Sequence, residues 1–385
     1  MTTTRPAVPA RLDLTGLAVR PSQVWGAVRL VPLVRAEPVE GLRLHRLAAG
    51  PEAGADAEAD GGLRYVPHGF VADWAEDGAV AAAYGTQLAE RADALPERMA
   101  LGLPARGGRR GVRARLRFLP QHLAVDGYLA RHLGGPPIAW EQWSQRAIRH
   151  GLPPRAEEAY LGAEVRGLAD ALRVFEIHQG QCGLMVFAAD ALAGAFVVPH
   201  PDDYRALHPT LVQDLFGELI HHYATLMAPV PEYRARIPGA GIRSLADLRA
   251  AADGAEADWA RFHEEVQAAG LLDPGYRVRQ LHRLGRFTLS RLLPPFVPKQ
   301  ENHLGEAITG PDGRIAYLKT FRLSESQVRR GHLLDRLAAH DWHLARTAAE
   351  LGTTEEQLGI RLESAGFGSL LRQDVLDGYR RRAAR

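Results

Sequence analysis

The sequence predicts an α+β fold: a mixed or antiparallel sheet core packed with helices, followed by a C-terminal helix-turn-helix bundle. Three observations predict it. The apolar runs "CGLMVF" and "LAGAFVV" are separated only by "AADA", the spacing of a hairpin and far too short for a parallel crossover. Strands stand on either side of a helical block instead of alternating with helices one by one, which disfavours a doubly wound parallel sheet. The residues from 324 onward carry helical periodicity and turn residues of their own.

Taken in order, residues 1 to 20 are rich in Pro, Thr and Arg without periodicity and read as a loose, disordered arm. "VWGAVRLVPLV" (24 to 34) and "GLRLHRL" (41 to 47) alternate like strands. "AAGPEAGADAEADGG" is a low-complexity acidic loop, and "LPARGGRRGVRARLR" (103 to 117) a second loop whose arginines suit either a solvated face or a polyanion contact. From 119 to 172 the period is helical, with Leu161, Val165, Leu168 and Leu172 on one stripe. "FEIH", "CGLMVF" and "LAGAFVV" then read as strands.

"HPDDYRALHPTLVQDLFGELIHHY" (200 to 223) is a Leu-faced helix, with Asp202 or Asp203 placed to cap it and His208 on the apolar stripe. Between 231 and 323 the chain forms a helical segment plus a hairpin. Its parts are the capping pattern "SLAD" (Ser244, Asp247), a helix ending at Gly270, the basic, amphipathic "RVRQLHRLGRFTLSRLL", and "EAITGPDGRIAYLKTF", a hairpin about Gly-Pro-Asp-Gly. The domain reading is an arm (1–20), an α+β core (21–230), this helical segment with its hairpin (231–323) and a helical unit (324–385).

Composition narrows the function classes. The 385 residues are 46% hydrophobic and 24% charged with a net charge of +2, so no overall field selects nucleic acid or membrane. The only lysines are Lys299 and Lys319, and neither stands in a phosphate-binding Gly-Lys-Ser/Thr. The single cysteine, Cys182, lies in an apolar run, which excludes an internal disulfide and a cysteine-built zinc site and reads as a buried thiol. Without a signal-like or membrane-length apolar stretch, the expected location is the cytoplasm, with no membrane partner. No cofactor is called for.

Two polar clusters are candidates for chemistry. On the helix of 200–223, Glu218 and His222 lie one turn apart and form a weak metal pair. The adjacent His221 and His222 diverge by about 100° and cannot share an ion. The loop "PKQENHLGEA" brings together Lys299, Gln300, Glu301, Asn302, His303 and Glu306, a mixture suited to binding or to general acid/base work, or to a charged surface. "HEEVQ" (263 to 267) misses the zinc-protease pattern at Gln267, and no Gly-x-Ser-x-Gly elbow occurs.

At the C-terminus, "DWHLARTAAELGTTEEQLGIRLESAGF" (341 to 367) places Leu344, Ala348 and Leu351 on one short helix. Gly352 takes a left-handed turn, Thr353 with Glu356 caps the next helix, and Leu358 and Leu362 face inward. Trp342, Leu344, Thr347, Ala348, Leu351, Gly352, Leu358 and Leu362 make this stretch resemble the Fis-type helix-turn-helix of bacterial regulators. The resemblance implies that Thr354, Gln357 and Arg361 face double-stranded DNA, aided by Arg380, Arg381 and Arg382 of the tail. Glutamates 355, 356 and 363 oppose that contact, so a protein-contacting module stays open.

"GLMVFAADALAGAFVVPHPDDYRALHPTLVQDLFGEL", with "LVPLVR" upstream, resembles the ADP-ribosylglycohydrolase and rhodanese-phosphatase-superfamily-associated protein domains over residues 21 to 230. That resemblance implies a place in prokaryotic conflict or nucleotide-modification systems and carries no catalytic residues over. The expectation is therefore a non-enzymatic regulatory or accessory protein, binding DNA or a partner protein of the same system. The alternative is an enzyme acting on a nucleotide or ADP-ribose-type substrate through His303 and Glu301 or through Glu218 and His222.

Overall fold

The structure, a computed structural model, describes residues 9–46, 62–65, 70–74, 80–84, 86–89, 98–101, 117–118, 129, 133, 174–189, 191–205, 207–208 and 237–383. The acidic loop, most of the arginine cluster, the stripe from Leu161 to Leu172, and the Glu218/His222 pair lie outside the described residues.

A ten-stranded antiparallel sheet organises the described chain. Its strands are β1 (Pro9–Ala10), β2 (Ala18–Val19), β3 (Gln23–Trp25), β4 (Val28–Val34), β12 (Gln181–Ala188), β13 (Ala191–Val197), β14 (Tyr276–Leu284), β15 (Phe287–Leu293), β16 (His303–Thr309) and β17 (Ile315–Arg322). The order across it is β1-β14-β15-β16-β17-β13-β12-β4-β2, with β3 also on β4. Seven shorter strands make two further sheets: β5 (Arg43–Arg46), β6 (Gly62–Tyr65) and β9 (Gln87–Ala89) in one, and β7 (Phe70–Trp74), β8 (Val80–Tyr84), β10 (Arg98–Leu101) and β11 (Arg117–Phe118) in the other.

The order has a geometric consequence. β1 and β2 end the row on opposite edges, eight strand spacings apart, which is about 38 Å along a flat sheet. Only seven residues separate Ala10 from Ala18, eight Cα steps or about 29 Å fully extended. The sheet must therefore curl until its edges approach. Two contacts agree with this: Arg286, in the β14–β15 turn, donates to the Glu40 carbonyl beyond β4, and Arg35 donates to the Ile315 carbonyl of β17 at 2.8 Å.

Several expectations are corrected. The arm is ordered from residue 9, where β1 pairs with β14, and Leu12 and Val19 are buried in the core. "VWGAVRLVPLV" is two strands folded about Gly26, with Trp25 opposite Val28, and β4 is buried along its whole length instead of alternating. "FEIH" is no strand: Glu176 exchanges its backbone bonds with the Gln23 side chain, and the chain turns at Gly180. "RVRQLHRLGRFTLSRLL" is the β14–β15 hairpin. The boundary at 230 therefore runs through one sheet.

Two predicted hairpins hold, β12–β13 and β16–β17. Cys182 is fully buried, and burial raises its thiol pKa against the nearby Arg35. Helix α1 (Leu245–Phe262) starts at the Ser244 cap, where the hydroxyl accepts from the Asp247 amide at 3.1 Å. It does not end at Gly270. It passes at His263 into a π-type turn through Gln267, and Gly270 lies inside the short α2 (Ala269–Leu272).

Ahead of the helical segment that starts at 201, the His200 ring accepts the Asp202 amide at 3.1 Å, so neither Asp202 nor Asp203 is the cap. Asp203 instead takes the Arg43 guanidinium in a two-pronged pair and the Leu44 amide. His208 is buried with the apolar residues, its Nδ1 3.0 Å from the Tyr204 hydroxyl.

The C-terminal unit contains α3 (Glu325–Ala339), α4 (Leu344–Glu350), α5 (Glu355–Leu362) and α6 (Gln373–Ala383). Leu333, Leu337, Ala348, Leu358 and Leu362 form a small core of their own. Gly352 has φ of 61° at the turn between α4 and α5, as its position predicts. The cap of α5 is shifted by one residue: Thr354 and Gln357 form the reciprocal box, not Thr353 and Glu356. Among the described residues, no helix is long and apolar enough to cross a membrane.

Candidate functional site

Strand alternation divides the polar loop between the two faces of the sheet. His303 and Gly305 share one face of β16, Leu304 and Glu306 the other, so the polar residues of "PKQENHLGEA" do not form one site. Lys299 is exposed with φ of 62°. Asn302 is buried and clamps its own loop, accepting from the Val297 amide at 3.1 Å and donating to the Val297 and Gln300 carbonyls. That is a structural use of its amide.

Glu301 and His303 do meet. Glu301 Oε2 lies 3.9 Å from His303 Nε2, and its Oε1 is 3.3 Å from Arg322. His303 and Arg322 hold the Glu301 carboxyl below its usual range against partial burial. His303 is fully buried, neither ring nitrogen has a hydrogen-bond partner among the described residues, and burial lowers its pKa although Glu301 opposes the shift. Glu301 packs on Gly270 at the rim of an open groove of about 730 Å³, lined by Leu192, Phe262, Val266 and Asp273.

The same face carries a second buried histidine. His263 stacks on Trp259 with centroids 5.1 Å apart and meets Phe187 edge-on. Its Nδ1 is 3.0 Å from Gln267 Oε1 and its Nε2 3.0 Å from Met185 Sδ. Burial lowers its pKa to about 4, so the ring is neutral at physiological pH.

On the opposite face, cross-strand register lines up Arg279, Arg291, Glu306 and Lys319 on four adjacent strands. Arg291, Glu306 and Lys319 are all buried. Glu306 accepts the Thr86 amide at 2.7 Å, and the Thr86 hydroxyl bonds the Tyr317 hydroxyl at 3.0 Å. Lys319 also lies over the Phe321 ring, 5.3 Å from its centroid. Sequence reasoning missed this row. Its trace was Lys319, one of only two lysines, standing inside the apolar alternation "IAYLKTF".

The remaining candidates lie on α5 and α6. Thr354, Gln357 and Arg361 are exposed at steps of three and four, one stripe of α5. The opposing glutamates are turned toward α6: Glu363 pairs with Arg380, Glu356 with Arg382 at 2.9 Å, and Glu355 accepts from the Tyr379 hydroxyl. Arg380 also reaches Asp377 at 2.7 Å. Arg381 has no ion pair among the described residues. No group of three metal-binding side chains occurs among those residues either.

No curated protein and no solved structure matches the chain. Residues 12–285 match the ARPP-2 family, a span from Leu12 of the core to the turn of the β14–β15 hairpin, and the chain belongs to that family.

Proposed function

We propose that the protein is a regulatory or accessory protein that docks on double-stranded DNA through a C-terminal helix-turn-helix, with α5 as the groove-facing helix. One observation carries the reading: Glu356 of α5 and Glu363 just after it pair with α6, while Thr354, Gln357 and Arg361 stay exposed on another stripe. The electrostatic objection drawn from the helix's net charge is thereby reduced, since two of the carboxylates are neutralised in place. Arg361 is the base-edge reader; Gln357 Oε1 accepts from the Thr353 hydroxyl at 2.6 Å, which leaves its amide nitrogen for a partner. A role in a prokaryotic conflict or nucleotide-modification system rests on the resemblance of residues 21 to 230.

The test is anisotropy of the full chain with labelled duplex over a salt series. Binding that weakens steeply with salt, and falls about tenfold or more in Arg361→Ala, is the expected result. A natively folded chain that binds no duplex at low salt overturns it.

A second reading is favoured by His303, a buried ring with no hydrogen bond among the described residues, beside a carboxylate at the rim of a groove. A Glu301–His303 pair is suited to proton transfer on a nucleotide-type substrate. Turnover of ADP-ribosylated or nucleotide substrates that is lost in both Glu301→Gln and His303→Gln would support it.

A further inference from the structure

Helix α1 carries an apolar stripe that, apart from Trp259, no described residue buries. Leu245, Leu248, Ala252, Ala255, Trp259 and Phe262 follow one another at steps of three, four, three, four and three, the spacing of a coiled-coil seam. Leu245 is 74% exposed, Leu248 42% and Phe262 50%, whereas only Trp259 is buried in the chain's own core. Large apolar side chains in one row on a helix of about 27 Å are not the scatter of an ordinary surface.

We infer that this stripe pairs with the same stripe of a second copy of this chain, antiparallel about a two-fold axis between residues 253 and 254. That axis sets Leu245 opposite Phe262 and Ala252 opposite Ala255, while Leu248 lies at the level of Trp259, whose ring stays in its own core. Alanine at the centre lets the helices approach closely, with the bulky residues at the two ends.

The flanking charges select this occupant. Beside the seam, Arg249 of one copy faces Glu256 of the other, and the two-fold repeats the pair, so the helix is complementary to itself. Glu256 holds Arg20 of its own chain in a pair whose side chains are 42% and 39% exposed, a contact weak enough to exchange or to share.

The experiment is sedimentation equilibrium on the full-length chain at micromolar concentration. The expected mass is about twice the 42.1 kDa of one chain. Leu245→Asp/Leu248→Asp should give the single-chain mass with an unchanged circular dichroism spectrum. Arg249→Glu should weaken association about tenfold, and Arg249→Glu/Glu256→Arg should restore it. A monomeric wild-type chain overturns the inference, and so does a dimer indifferent to all of these substitutions.

Discussion

His263 couples the packing of α1 to pH. Its folded pKa of about 4 lies below the ordinary 6.5, so the unfolded chain binds a proton that the folded chain refuses. The stability from the neutral ring is full above 6.5 and is lost as pH falls toward 4, by about 3 kcal/mol. Burial of His303 acts in the same direction. Urea midpoints between pH 7 and 4 should fall with acidification, and His263→Phe, which keeps an aromatic ring on Trp259, should flatten the curve. Gly359 is a second single-residue case. Helix propensity alone favours alanine there by about 1 kcal/mol. A methyl at 359 would, however, overlap the Tyr379 ring of α6, so Gly359→Ala should destabilise the C-terminal unit by about 1–3 kcal/mol in thermal unfolding.

The elements of the C-terminal unit were legible because their determinants are local. Gly352 and the inward leucines act within a few residues, and the structure places them as the periodicity implies. The cap of α5 missed by one position because Thr353 and Thr354 are both cap-forming types and only backbone geometry chooses between them. Gly352→Ala should cost about 1 kcal/mol, since its left-handed turn penalises any Cβ. Where glutamates face was not legible, because it depends on Arg380 and Arg382 returning from α6. "RVRQLHRLGRFTLSRLL" shows the opposite failure. Its amphipathic character suits a helix, yet Gly285 and pairing with β16 make it a hairpin.

For the whole molecule, closure of the curled sheet depends on its first residues. β1 covers the start of the β14 edge, and Leu12 is buried behind it. Removing residues 1–13 should lower the thermal midpoint and raise light scattering, because it empties a Leu site worth about 2–5 kcal/mol and bares a strand edge. An unchanged midpoint would mean that the arm contributes no stability. The sequence by itself determined the α+β class, the β12–β13 and β16–β17 hairpins, the buried thiol and the helices after Ser324. All of these depend on period, turn chemistry and burial preference within a short window. Only the tertiary structure decided that β1 to β4 close the same sheet as β14 to β17, that His303 and Glu306 lie on opposite faces, and that Arg291 and Lys319 flank Glu306. These depend on which strands become neighbours, and strand order is set by the packing of the whole chain, beyond the reach of any local pattern.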